Sequence, residues 1–354
     1  MFGKALNCFN GYVCLIFVIA LAASVGSVAA QQVPANRLLL PYFEVSLDGS
    51  GNNTVFSVVN PLGNSIDLPA RITLYSNWGV EVLNSSVVLD SQGVLRVDLQ
   101  DWIVRGELPE RALSAPEIEH IQTALSGRRS PLDSLFYSSR LGQELATGFA
   151  IIQLEHPLSS GVLFGDYFIV SPGEDQAQGE VLVGIDRQEN EKCSELCLIH
   201  GLRFLAGQEL STDTEIVIWS DQVDQQPSSS PDRESRLTGA EAALFDSEGR
   251  FIGIQVLGLL PLQVLTAGEL GVSEGTGWID LLTDEDTYIT VRYSSQDRFS
   301  AALQAFCLPS EFEILPKIVI EKFTNGADAD AAPGPRIGVG SPVTWTYRVT
   351  NLGD

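Results

Sequence analysis

Between residues 37 and 307, short apolar runs recur with Gly, Asn, Asp and Pro between them, and only one segment carries a helical period. Residues 38–45, 54–59, 70–75, 147–155, 166–170, 215–219, 251–259, 278–282, 288–293 and 299–306 read as strands. Ala70, Ile72 and Leu74 alternate with Arg71, Thr73 and Tyr75, which gives a strand one dry face and one wet face. Residues 215–219 are apolar on both faces, the pattern of a central strand. Such a chain closes a core by stacking sheets. The expected fold is mainly β: a large antiparallel β-sandwich with one or two short helices.

Local signals fill in that frame. Residues 38–59 are expected to form a hairpin around the turn 48–53, and 242–259 a second one around 246–249. Residues 87–89 and 94–99 bracket the turn 90–93. The helix starts at a capping box, Ser114 with Glu117, with Pro116 in the first turn. Ile118, Ile121 and Leu125 share one face, Gly127 can end the helix, and His120 is solvated.

The two ends bound location and organisation. Lys4, the apolar run 12–23 and the small residues Val28, Ala29 and Ala30 form a secretory signal peptide, with cleavage expected near Ala30. The run is short of the about 20 residues that span a bilayer, and no later stretch is long and apolar enough to do so, so the mature chain is expected to have no membrane span. The formal charge of −24 disfavours nucleic acid and anionic membranes. The expected organisation is 1–30 signal peptide, 31–310 β-sandwich, 311–316 linker and 317–354 a separate β module. In that module Val343, Trp345, Tyr347 and Val349 alternate with Thr344, Thr346, Arg348 and Thr350, a half-buried strand with Trp345 in its core.

Residues Lys322, Thr324, Asn325, Gly326, Asp328, Asp330, Pro333, Gly334, Pro335, Val339, Gly340 and the run 343–351 resemble the opening of the immunoglobulin-like repeat domains found in tandem in bacterial surface and secreted proteins. The resemblance implies an extracellular spacer or stalk. A full sandwich of that kind needs about seven strands, so the expectation is a truncated module at the front of a longer protein. The segments 39–45, 54–60, 73–80, 165–170, 177–180 and 215–221 resemble a family of secreted bacterial β-rich proteins without an assigned activity. That likeness implies secretion and one continuous domain, and it transfers no site residue.

Candidate chemistry is sparse. Cys8 and Cys14 leave with the signal, and Cys193, Cys197 and Cys307 remain. A local disulfide between Cys193 and Cys197 is expected, with a long-range bond from either to Cys307 as the rival. Cys193, Cys197 and His200 give three zinc ligands where a structural site needs four, so a disulfide beside an exposed histidine is preferred. Gly271, Ser273 and Gly275 match the hydrolase nucleophile pattern, but no helical period follows and no histidine lies beyond His200. Carboxylate pairs such as Glu107/Glu110, Glu117/Glu119 and Asp284/Glu285/Asp286 read as solvated faces, because a glycosidase needs two that face each other. No cofactor is expected; calcium is the leading alternative to plain acidic turns, held by Asn325, Asp328 and Asp330, with the loop of Asp48, Ser50, Asn52 and Asn53 second. Trp78 and Trp102 are candidates for sugar stacking among the five tryptophans, which include Trp278, while Trp219 and Trp345 read as core. The expectation is a non-enzymatic extracellular or cell-surface protein, adhesin-like, with a protein or glycan partner. The alternative is a secreted polysaccharide hydrolase or glycan-binding module.

Overall fold

The computed structural model describes residues 34–63, 65–126, 145–172, 176–186, 197–207, 212–220, 238–272, 274–295, 299–307, 318–328, 336–338 and 340–351. The expected signal peptide, Gly127, Cys193, Ser273, the expected linker 311–316 and Asp330 lie outside them. The protein is mostly β, built from several antiparallel sheets with two helical elements among the described residues, consistent with a β-sandwich.

The strands of the first half are β1 (Arg37–Ser46), β2 (Asn53–Val59), β3 (Leu68–Tyr75), β4 (Glu81–Leu89), β5 (Val94–Asp98), β6 (Leu145–Leu154), β7 (Phe164–Ser171), β8 (Gln176–Val181) and β9 (Val183–Gly184). They form a five-stranded sheet, β4-β3-β6-β1-β9, and a four-stranded sheet, β5-β2-β7-β8. The expected hairpin over 38–59 does not form: β1 pairs with β6 and β9, β2 with β5 and β7, and the turn between them crosses from one sheet to the other. The pattern explains the crossing. After Arg37 every residue of β1 is buried, so it needs cover on both faces, whereas β2 alternates and needs one dry face. The turn 90–93 likewise leads from β4 in one sheet to β5 in the other.

A π-helical turn, Asp101–Arg105, buries Trp102 and Ile103 and ends at Gly106, whose φ of 71° belongs to the left-handed region. Helix α1 (Ala115–Leu125) follows and packs against β4 and β6 through Ile121 and Leu125. Its capping box is formed: the Ser114 hydroxyl and backbone N–H both donate to the Glu117 carboxylate, at 2.6 and 2.8 Å. These bonds, with Arg111 beside them, lower the Glu117 carboxyl to about 2.

The second half contains β10 (Cys197–Ala206), β11 (Thr212–Ser220), β12 (Thr238–Asp246), β13 (Phe251–Leu259), β14 (Leu262–Thr266), β15 (Gly275–Ser295), β16 (Phe299–Gln304) and β17 (Phe306–Cys307) in one eight-stranded sheet. The two strands read at 278–282 and 288–293 are one long strand, β15. Its first part pairs with β10 and β12, and its second with β11 and β16. Here the hairpin β12–β13 forms as the turn residues predict, and β11 is central, flanked by β14 and β15. Trp219 on β11 is fully buried, meets Phe149 of β6 edge-on at 6.1 Å, and belongs to the same hydrophobic cluster as β1.

The expected Cys193–Cys197 bond is not formed. Cys197 is bonded to Cys307, with Cα atoms 5.9 Å apart. The cause is register: β17 pairs with β10 at His200 and Gly201, which brings the end of the sheet back over its first strand.

The remaining strands, β18 (Ile318–Thr324), β19 (Ala327–Asp328) and β20 (Trp345–Asn351), form a three-stranded antiparallel sheet in the order β19-β18-β20. Trp345 was expected in a core, yet it is 61% exposed, and Val343, Tyr347 and Val349 are exposed with it. Among the described residues no second sheet packs on this one, so the alternation of β20 has no dry side to serve.

Candidate functional site

The face of the eight-stranded sheet turned away from its core is apolar and open. Paired residues of an antiparallel sheet point to the same side, so register gives its composition. One row runs Val256, Glu241, Leu282, Ile199, and the next Ile254, Ala243, Asp280, Gly201, Phe306. The third runs Phe251, Phe245, Trp278, Arg203. Val256 is 77% exposed and Phe306 64% exposed, and Phe251, Ile252 and Ile254 are exposed as well. Exposed apolar side chains gathered on one sheet face mark interaction sites in soluble proteins.

Trp278 sits at the centre of the face. A Cβ on Gly201 would lie 2.2 Å from the indole Cζ2, so the ring rests directly on the β10 backbone, where only glycine leaves room. Phe306 stacks beside it, with ring centroids 6.2 Å apart and planes 20° from parallel. The indole N–H donates to the Asp280 carboxylate, while burial pushes that carboxyl up. The result is a flat aromatic area with a carboxylate at its edge and Arg203 exposed on the same row. Gly201→Val should lift the indole from the strand and destabilise the fold by about 1–3 kcal/mol, readable as a red shift of tryptophan emission and a lower urea midpoint.

A second constellation lies inside. The Arg292 guanidinium of β15 donates to Gln178 Oε1 of β8 at 2.7 Å and to Glu44 Oε1 of β1 at 3.2 Å, and it sits 3.1 Å from Glu215 Oε2 of β11. The Tyr42 ring lies under it at 5.1 Å, and the Tyr42 hydroxyl donates to Glu44. Burial alone would lower the guanidinium pKa, and the Glu44 and Glu215 carboxylates more than offset this and hold it above its usual value. Glu180 of β8 accepts from Thr290 and from the Tyr167 hydroxyl at 2.8–2.9 Å, yet burial still pushes its carboxyl up. One buried cation thus ties three sheets together. A raised carboxyl near an ion-paired one is what acid–base hydrolysis uses, but the cavity there is about 10 Å³, far too small for a sugar.

The other sequence candidates are dispersed. Trp102 is 3% exposed and cannot stack on a ligand, because the π-helical turn rolls it into the core. It borders an open depression of about 440 Å³ with Arg96, Asp98, Asp101 and Glu107. The carboxylates there have local duties: Asp98 accepts from Asn53 Nδ2 and Gln100 N–H, and Asp101 pairs with Arg105. In the loop considered for calcium, Asn325 Oδ1 accepts from the Thr344 N–H at 2.7 Å and its amide donates to the Pro342 carbonyl. Asn325 therefore fixes the β18–β20 connection. Asp48 folds back on the Ser50 N–H and hydroxyl as an Asx turn. No group of three or more His, Cys, Asp or Glu side chains gathers as a metal site among the described residues.

His200 was expected to be exposed and is buried. Register places it on the core side of β10, opposite Cys307, where its Nε2 lies 2.8 Å from the Thr287 hydroxyl. Desolvation lowers its pKa from 6.5 to about 4. The neutral form is favoured by folding, so stability is complete above pH 6.5 and is lost as pH falls toward 4, by about 3 kcal/mol. Urea midpoints measured across this range should fall, and His200→Gln should flatten that slope.

Comparison with known proteins adds no identification. No protein family and no curated protein matches the chain. Among solved structures, a glycosyl hydrolase family 2 member from Bacteroides cellulosilyticus aligns over 81% of this chain and 28% of its own, at 8% identity and TM-score 0.14. A β-glucuronidase of Parabacteroides merdae aligns over 81% of this chain and 30% of its own, at 11% identity and TM-score 0.16. The chain spans under a third of those enzymes, and likeness this slight carries no argument about fold or activity.

Proposed function

We propose that this is an exported, non-catalytic interaction protein whose β-sandwich head binds an extracellular glycan or protein, with the three-stranded module as the start of an immunoglobulin-like stalk. The observation that carries the reading is the exposed sheet face, with Trp278 laid flat on Gly201 and Phe306 stacked beside it. Flat aromatics flanked by a carboxylate and an arginine suit the apolar faces and hydroxyls of sugars, and the apolar stripe on β13 suits a protein. The Cys197–Cys307 bond supports an oxidising compartment.

The test is binding of the mature protein to a panel of extracellular polysaccharides and surface proteins, compared with a Trp278→Ala, Phe306→Ala variant. Loss of binding by about tenfold or more, measured where the variant is still folded, is the expected result. Retained affinity would remove the face from the reading. Turnover of any glycan by the purified protein, abolished by one carboxylate substitution, would replace the reading with the hydrolase alternative.

A further inference from the structure

Strand β13 ends the eight-stranded sheet. It pairs with β12 on one side, and among the described residues no strand pairs with the other. The outward N–H and C=O groups of such an edge are satisfied by water or by another strand, and proteins usually guard it with charge, proline or a bulge. Residues 251–259 contain no ionisable side chain and no proline, and the bulge against β12 lies at the first residues of the strand.

We propose that β13 pairs antiparallel with β13 of a second copy, about a two-fold axis at Gln255. Charge selects this occupant. Two chains of formal charge −24 repel over most of their surface, and a neutral strand is where they can meet without facing like charges. A charged peptide finds no counter-charge on these nine residues. Composition selects the register. With Gln255 opposite its own copy, Ile254 faces Val256 twice on the open face, so β-branched side chains meet across the seam. The apolar stripes of the two copies then join into one surface. A standard interface buries about 800 Å² per partner, more than one strand edge supplies, so association is weak and concentration-dependent. The pairing does not depend on what the aromatic face binds.

Sedimentation equilibrium of the mature protein tests it. The mass should climb from one chain to two with concentration. Gln255 is exposed, so Gln255→Lys and Gln255→Glu should leave the unfolding midpoint unchanged. Each places like charges on the axis and should weaken self-association by about tenfold or more. An equimolar mixture of the two should restore it. A wild-type chain that stays monomeric, single variants that associate like wild type, or a mixture no tighter than its components would each overturn the proposal. So would a dimer lost with Trp278→Ala and kept with Gln255→Lys.

Discussion

Replacing Arg292 by alanine should cost about 3–5 kcal/mol, the largest effect of any single side chain away from the apolar core. The guanidinium is the shared partner of Glu44 and Glu215 and the donor to Gln178, so its loss takes a common counter-charge from two carboxylates with little access to water. A domain of ordinary stability has about 5–15 kcal/mol in total, so the variant should fold marginally or not at all. The informative comparison is a triple change, Arg292→Met with Glu44→Gln and Glu215→Gln, which removes the attraction and the stranded charges together. Urea midpoints should show the triple variant recovering much of what the single one loses. A single variant within 1 kcal/mol of wild type would mean that the cluster is solvated and binds the sheets together only loosely.

Reducing Cys197–Cys307, or changing both residues to serine, should lower stability by about 2–5 kcal/mol. The bond joins residues 110 apart, a long loop whose closure strongly restricts the unfolded chain. Cys307 is exposed, so a thiol reductant reaches it without prior unfolding. The expected result is a lower thermal midpoint in reductant that the double serine variant reproduces and reductant no longer affects. Peptide mapping without reduction should recover the 197–307 link and no 193–197 link.

What sequence reveals here follows from how local each decision is. The helix start at Ser114 and Glu117, the hairpin around 246–249 and the centrality of 215–219 depend on neighbours within a few residues, and all three are visible in the chain. The connection 47–52 shows the same turn residues whether it folds a hairpin or crosses between sheets. The choice is made by β6, a hundred residues away. The aromatic face is hidden for a similar reason. Trp278 and Gly201 become neighbours only through the β10–β15 register, and the one sequence hint is an isolated glycine inside an apolar strand. Arg292 reads as the wet side of an alternating strand until β1, β8 and β11 arrive around it.

The partner of β1 has a consequence for synthesis. Arg37 lies opposite Gln153 and Ser46 opposite Leu145, so this almost wholly buried strand cannot pair with β6 until about a hundred further residues have been made. A strand whose cover arrives so late favours slow maturation, because its apolar stretch 38–45 waits for a distant partner before it can be buried.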